Sequence, residues 1–148
     1  MKLSGIVTAL KNGCVLHAFR SGGGLRVVRI EKEKRGGDLV GYGEHPMAAD
    51  AFSHANEDYL AGGRKYEKVY GKIYPHYLTG AVPSGNDPLD AWIYKGFELD
   101  AYYEDKKIVV ELTGYNTRMQ KVKKVGTHYN NIRKAIRVAF SAGAKVIE

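Results

Sequence analysis

The sequence has 148 residues, of which 44% are hydrophobic and 26% are charged, as is usual for a globular domain with a sizeable core. Its one cysteine, Cys14, excludes an intrachain disulfide, and no apolar run approaches the roughly 20 residues that span a bilayer. The 23 lysines and arginines exceed the 16 acidic residues, and the resulting net charge of +7 favours polyanionic partners. We therefore expect one compact cytoplasmic domain, residues 1–148, that does not enter a membrane.

Two parts of the chain follow the same pattern at a separation of about 83 residues, which indicates an internal repeat. Residues that start and stop helices recur at the same offset: Ser4 and Gly13 in the first part correspond to Asp87 and Gly96 in the second. The predicted parts are two copies at about 4–62 and 87–145 and a tyrosine-rich connector at 63–86.

The first copy predicts a helix, a hairpin, a short strand and a closing helix. The helix begins at Ser4 as N-cap and ends at Gly13. Strand-forming residues on both sides of the turn at 21–24 predict the hairpin, and a third strand is expected at 39–42. Alanine and aromatic residues at helical spacing then predict a helix that ends near Gly62.

The second copy predicts the same order of elements. They are a helix at 87–96, strands at 97–103 and 108–112, a third strand at 121–125 and a closing helix at 132–143. Together the copies predict an α+β fold of two related α-β-β-(β)-α halves. We expect an antiparallel or mixed sheet with the helices packed on one face.

A glycine-rich turn in the first copy is the sharpest candidate for ligand binding. Its members are Arg20, Ser21, Gly22, Gly23, Gly24 and Arg26. Glycines let backbone amides approach an anion closely, and guanidinium groups bind phosphate in a fork. The corresponding turn of the second copy has no glycine, so this feature is not part of the repeated scaffold. The alternative is a flexible hairpin turn with two solvated arginines.

Aromatic and basic residues elsewhere would complete such a site. The sequence has 11 tyrosines, and an aromatic ring can stack on a base while nearby cations bind phosphates. Most tyrosines of a small domain are instead half-buried, with the hydroxyl bonded to water or backbone. The further ligand contacts that we expect are Arg29, Tyr42, Arg64, Lys65, Tyr74, His76 and Tyr77.

Two acidic residues on predicted neighbouring strands suggest a different function. Asp100 lies on one strand and Glu111 on the next, and Thr113 follows after one residue. This arrangement resembles the acidic strand pair of the PD-(D/E)XK nuclease family, in which an Asp and a Glu hold a metal ion and a lysine positions water. Thr113 stands where that lysine is expected. The resemblance implies metal-dependent cleavage of phosphodiesters as an alternative.

The histidines predict structural roles. His45 and His128 occupy equivalent positions before the two closing helices, so we expect them to cap or brace those helices. His54, Glu57 and Asp58 lie within one helical turn. A solvated polar face is the simpler interpretation, because metal sites draw ligands from more than one element.

The order of elements in each copy also resembles a known RNA-binding fold. Gly41-x-Gly43, placed between the predicted hairpin and an alanine-rich helix, is similar in outline to the double-stranded RNA-binding domain. Residues 44–47 replace that family's basic run, so the resemblance implies a topology and carries over no contact residue.

The sequence as a whole predicts non-enzymatic binding of a phosphate-bearing ligand that contains a base. The ligand would be a nucleic acid or a small nucleotide that the protein sequesters, and neither a cofactor nor a resident metal is expected. The alternatives are the nuclease at Asp100 and Glu111, and a protein-binding inhibitor or interaction module that uses the tyrosine-rich connector as an aromatic interface.

Overall fold

The computed structural model describes residues 3–63 and 97–147, which form an α+β structure with a seven-stranded antiparallel sheet and three α-helices. The helices are α1 Ser4–Lys11, α2 Ala48–Leu60 and α3 Ile132–Ser141. The strands are β1 Val15–Arg20, β2 Arg26–Glu31, β3 Leu39–His45, β4 Glu98–Glu104, β5 Lys107–Tyr115, β6 Lys121–His128 and β7 Lys145–Val146. The predicted helix at 87–96 and nearly all of the connector lie outside the described residues.

The strands of both predicted copies form one sheet, in the order β3-β2-β1-β4-β5-β6-β7. The central strands β1 and β4 pair antiparallel, with His17 directly opposite Asp100. On either side of this pair, each central strand is followed by the next two strands of its own part of the chain. Two strands therefore follow in the same order on each side of the central pair, and β7 extends the sheet on one side only.

The helices cover one face of the sheet and enclose the core. Side chains alternate between the two faces of a strand, so Leu16, Ala18 and Val28 project to the same side as Leu99 and Val110. These residues are buried against the inner sides of α1, α2 and α3. The most deeply buried large side chains include Phe52, Ile6, Leu10, Ile30, Ile108, Leu112 and Ile136.

Two glycines let a helix lie directly on an outer strand. A Cβ atom on Gly43 would come within 2.1 Å of the Ala51 carbonyl oxygen of α2. A Cβ atom on Gly126 would come within 2.1 Å of the Ala139 amide nitrogen of α3. Any larger residue at either position would push its helix away from the sheet.

The first two helices end where glycine makes a turn, as the sequence predicts, whereas α3 ends at Ser141 with Ala142 as its C-cap. Gly13 after α1 has a φ of +90°, and Gly62 after α2 has a φ of +95°, in the left-handed region that favours glycine. The start of α1 differs from the prediction, because Leu3 occupies the N-cap position and Ser4 is the first helical residue. In residues 3–63 and 97–147, no helix combines the length and the apolar character that a bilayer crossing needs.

The single cysteine is buried, as expected from its apolar neighbours. Cys14 lies just before β1, belongs to the hydrophobic core and is 6% exposed. Burial raises the pKa of the Cys14 thiol, with Lys32 opposing that effect in part. The thiol is therefore protonated at neutral pH and poorly reactive.

Candidate ligand-binding face of the sheet

The face of the sheet opposite the helices carries charged and aromatic side chains, and we call it the polar face. Strand alternation places these side chains there, because their neighbours along each strand point into the core. Its members include His17, Phe19, Arg29, Glu31, Tyr42, Glu44, Glu98, Asp100, Tyr102, Glu111, Thr113, Lys121 and Lys123.

Five members of the polar face are consecutive cross-strand neighbours, and we call them the central row. In order across the sheet they are Tyr42, Arg29, His17, Asp100 and Glu111. Directly opposite residues in antiparallel strands have Cβ atoms about 4.5–5.5 Å apart, so the five side chains lie side by side across the sheet. The row thus changes from aromatic and cationic at one end to acidic at the other.

The first end of the row holds a guanidinium group against an aromatic ring. The Arg29 guanidinium carbon lies 6.0 Å from the centre of the Tyr42 ring, and its Nε lies 3.8 Å from Glu31 Oε1. Tyr42 donates its hydroxyl hydrogen to Glu44 Oε2 at 2.9 Å. Because two carboxylates orient this pair, the arginine and the ring keep a fixed relation to each other.

The middle of the row is spanned by an arginine from the β2–β3 loop. Arg35 Nη2 donates to Nε2 of His17 at 2.5 Å and lies 3.3 Å from Glu98 Oε2. Its Nη1 lies 3.7 Å from Asp100 Oδ1. Sequence reasoning missed Arg35 as a site residue, because a loop has no periodicity that shows where its side chains point.

Burial shifts the pKa of both groups at the centre of the row toward the neutral form. The pKa of His17 is lowered, first by burial and then by the Arg35 charge, while nearby carboxylates oppose the change. The pKa of Asp100 is raised by burial, against the lowering effect of Arg35. Titratable groups perturbed in this way are typical of functional sites.

A cavity of about 470 Å³ opens beside the acidic end of the row. It is lined by three cationic side chains, Arg35, Lys121 and Lys123, and by carboxylates that include Asp100 and Glu111. Its volume is within the range usual for pockets that bind small ligands. Cationic and acidic side chains therefore line the same cavity, and its cationic groups can bind an anion.

Glu111 is held in place from two sides. The Tyr102 hydroxyl donates to Glu111 Oε2 at 2.6 Å, and Lys123 Nζ lies 3.1 Å from Glu111 Oε1. The hydrogen bond to Glu111 is the main cause that raises the pKa of Tyr102 to about 12. Lys123 lies on β6 directly opposite Thr113 of β5. A lysine thus stands beside the strand position at which the nuclease motif lacks one.

The glycine turn uses part of its own hydrogen-bonding capacity. Ser21 N–H donates to the Leu25 carbonyl at 2.8 Å, and Gly24 N–H donates to the Ser21 carbonyl at 3.0 Å. The Arg26 Nη1 group donates to the Gly24 carbonyl at 2.6 Å, and Arg26 is only 8% exposed. Arg26 therefore braces this turn from within.

The structure separates the predicted contact residues into two groups. Arg20 and Arg26 are cross-strand partners on the helix side of the sheet, whereas Arg29 and Tyr42 are partners on the polar face. Gly22 and Gly23 have open space where a Cβ atom would be. Five further predicted residues lie outside the described residues: Arg64, Lys65, Tyr74, His76 and Tyr77.

The histidines before the closing helices accept backbone hydrogen bonds, which confirms the predicted capping role. His45 Nδ1 accepts from the Met47 N–H at 2.9 Å. His128 Nδ1 accepts from the N–H groups of Asn130 and Asn131 at 3.2 and 3.0 Å. Each histidine thereby satisfies donors in the turn that leads into a helix.

The predicted solvated face of α2 is wrong for Asp58, which is fully buried. Its Oδ2 accepts the Tyr42 N–H of β3 at 2.9 Å. The main-chain groups of an outermost strand need partners, and a carboxylate from the covering helix supplies one here. Among the described residues, no group of three or more His, Cys, Asp and Glu side chains is placed to hold a metal ion.

Comparison of the chain with protein-family models, with curated proteins and with solved structures finds no match in any of the three.

Proposed function

We propose that the polar face binds a phosphate-bearing ligand that also contains a base, either a nucleic acid or a small nucleotide. One observation carries the proposal: the Arg29–Tyr42 pair lies on the same face as a cavity with three cationic side chains. Such a ligand requires both cations for its phosphates and a flat ring for its base.

The cations of the cavity are placed to bind phosphate oxygens. The side chains of Arg35 and Lys123 are 52% and 35% exposed, so a ligand reaches them from solvent. Both are paired with carboxylates, and a phosphate would compete with Glu98 and Glu111 for them. The displaced carboxylates then become acceptors for the amino or hydroxyl groups of the ligand.

The aromatic side chains of the polar face are suited to stacking on a base. Tyr42 is half-buried and held by Glu44, and Phe19 stacks on the His17 ring with centroids 4.8 Å apart. A ring that is already fixed loses little conformational freedom when a base stacks on it. The central row links these rings to the cationic cavity, so an extended ligand has a continuous path.

We further infer that the two halves of the sheet are related copies. Three correspondences support this inference. His17 and Asp100 lie directly opposite each other on the central strands, a glycine lies beneath each of α2 and α3, and a histidine precedes each of those helices. In this interpretation the shared positions are scaffold. The polar face differs between the copies, because the first contributes Arg29 and Tyr42 where the second has Glu111 and Val125.

The binding proposal is tested with arginine variants and two salt concentrations. Fluorescence anisotropy with a labelled single-stranded oligonucleotide, and with a panel of nucleotides as competitors, measures affinity. Arg29→Ala combined with Arg35→Ala is expected to weaken binding about tenfold or more and to lower the salt slope by about one per lost phosphate contact. Lys134→Ala combined with Arg137→Ala, on the exposed side of α3, is the charge-matched control.

A second double variant separates the polar face from the glycine turn. Arg20→Ala with Arg26→Ala removes the same charge from the helix side of the sheet. If this variant loses affinity and the Arg29 and Arg35 variant does not, the ligand binds at the turn. If neither the oligonucleotide nor any nucleotide of the panel binds the wild-type protein, the proposal is wrong.

A second candidate function is metal-dependent cleavage of phosphodiesters at the acidic end of the row. Asp100 lies directly opposite Glu111, both line the cavity, and Lys123 lies 3.1 Å from Glu111. Magnesium is usually held by one or two carboxylates together with substrate phosphates, so this pair fits such an ion. The ion would supply Lewis-acid activation of the phosphate, and Lys123 would stabilise the developing negative charge.

Cleavage is tested by incubating the protein with DNA or RNA in the presence of Mg²⁺ or Mn²⁺. Glu111→Gln and Lys123→Ala are expected to lower the rate by at least about a hundredfold if these groups act in the reaction. Glu104→Gln, at the exposed end of β4, controls for the loss of a carboxylate. Absence of metal-dependent turnover by the wild-type protein rules this candidate out.

A further inference from the structure

The two outer regions of the sheet differ in how their main-chain groups are satisfied. In an antiparallel ladder, alternate residues of an outermost strand point their N–H and C=O groups away from the sheet. At β3 the outward Tyr42 N–H is bonded to the buried Asp58 of α2, and Gly63 lies against the Val40 carbonyl. The β3 edge is therefore covered by its own helix and the turn after it.

At the opposite side, the described residues 3–63 and 97–147 leave the edge of β6 open over half of its length. The Asn116 N–H bonds to the Gln120 carbonyl, which sets the ladder so that Val125 and Thr127 point their main-chain groups outward. The short strand β7 pairs with Val122 and Lys123, and its register ends there. In the part of the chain that the structure describes, no hydrogen bond reaches the outward N–H and C=O groups of Val125 and Thr127.

The open edge is accessible and adjoins an apolar groove. Val125 is 45% exposed, and Thr127 is also exposed. A cavity of about 380 Å³ beside it is lined by Val125, Ala142, Gly143 and Ile147, with Lys123 and Lys145 at its rim. A strand added to β6 would bond to the outward main-chain groups and place an apolar side chain in this groove.

We propose that the outer edge of β6 at Val125 and Thr127 pairs with an extended acidic segment of a partner protein. The charge of the edge identifies the partner, because Lys123 and Lys145 line the groove and, among the residues that the structure describes, no acidic residue does. A second copy of the chain would bring one lysine-bearing edge against another, which opposes self-pairing. The strand pairing is argued from main-chain geometry, and the acidic character of the partner from Lys123 and Lys145. Lys123 also lines the cavity proposed for the phosphate-bearing ligand, whereas Lys145 does not.

The test uses a short capped peptide of alternating glutamate and valine as probe. In nitrogen–proton correlation spectra of the full chain, the Val125 and Thr127 amides are expected to shift upon titration. The same peptide with lysine in place of glutamate is expected to bind at least about tenfold more weakly. If the acidic peptide shifts neither amide at any soluble concentration, or if both peptides bind equally, the proposal is overturned.

Two variants and one control locate the contact. Val125→Pro removes an outward N–H that β5 does not use and is expected to weaken binding about tenfold. Lys145→Glu is expected to weaken it severalfold, whereas Lys11→Glu on α1 leaves it unchanged. If circular dichroism shows that Val125→Pro is unfolded, the binding of the peptide to Lys145→Glu and the amide shifts of the wild-type protein test the proposal instead. Sedimentation showing a dimer that Lys145→Glu strengthens would overturn the choice of partner.

Discussion

His17 and Asp100 face each other at the centre of the sheet, where burial disfavours the charged form of each. Arg35 contacts both and favours a neutral His17 beside an ionised Asp100. Keeping the half-buried Asp100 carboxylate ionised in this position lowers the free energy of unfolding at neutral pH. A cost of this kind is common where a group serves binding or catalysis.

Replacing Asp100 with asparagine is expected to stabilise the protein at neutral pH. Because the pKa of Asp100 is raised on folding, the carboxyl contributes favourably below its ordinary value of 3.8, and that contribution is lost as the pH rises through its folded pKa. The advantage of Asp100→Asn should therefore be largest at neutral pH and shrink in acid. Urea denaturation at several pH values measures it, with Glu104→Gln as the surface control. A destabilised Asp100→Asn protein at neutral pH would show that the Arg35 contact outweighs burial.

His17 gives the opposite dependence on pH. Its pKa is lowered in the folded protein, so the unfolded chain takes up a proton first and the free energy of unfolding falls as the pH drops below 6.5. His17→Gln should flatten this fall between pH 6.5 and the folded pKa. Denaturation curves of wild type and variant across that range provide the measurement, and parallel curves for the two would contradict the assignment to His17.

At the residue scale, the sequence places Asp100 and Glu111 on neighbouring strands, and the structure adds that they lie directly opposite each other and which partners surround them. Hairpin register follows from the turn at 104–107, so two strand residues can be paired from sequence. Arg35 and Lys123 come from a loop and from a more distant strand. Their approach depends on tertiary packing, which periodicity does not encode.

At the element scale, an outermost strand needs hydrogen-bond partners for the main-chain groups that point away from the sheet. Asp58 of α2 is fully buried and supplies the acceptor for the outward Tyr42 N–H of β3. The sequence groups Asp58 with His54 and Glu57 as a solvated polar face, and of these three residues only Glu57 is fully exposed in the structure. The hydrogen bond of Asp58 depends on the packing of α2 against β3, which helical spacing alone does not predict.

Asp58→Ala is expected to lower the free energy of unfolding by about 1–3 kcal/mol, because a buried N–H loses its acceptor. Glu57→Ala, at the exposed neighbouring position, should change stability by less than about 0.5 kcal/mol. Urea denaturation followed by circular dichroism measures both. Equal effects of the two substitutions would mean that the hydrogen bond to Tyr42 adds nothing to stability.

Elements with strong periodicity were predicted from sequence, whereas those formed by pairing alone were not. The hairpin strands, α2 and α3 have clear alternation or helical spacing, and the structure contains them near the expected bounds. β7 has two residues, and β5 continues to Tyr115, beyond the predicted end at 112. The existence of β7 and the end of β5 depend on pairing with a neighbouring strand rather than on the pattern of their own residues.

At the scale of the whole molecule, one pairing joins the two halves. β1 and β4 are far apart in sequence, so neither the hairpin pattern nor the repeat predicted whether the halves share a sheet. Both strands nevertheless carry buried residues at alternate positions, Leu16 and Ala18 in β1 and Leu99 and Ala101 in β4. Their shared core makes the stability of one half depend on the other.

We therefore expect the described parts of the chain to unfold in a single transition, and Leu16→Ala to test this coupling. Leu16 is 1% exposed, so its truncation should cost about 2–5 kcal/mol. Because Leu16 lies opposite Ala101, amide exchange should accelerate in β5 as well as in β2. Val138→Ala, at an exposed position of α3, is the control. Faster exchange confined to β1, β2 and β3 would show that the halves open independently, and the prediction of one cooperative domain would then be wrong.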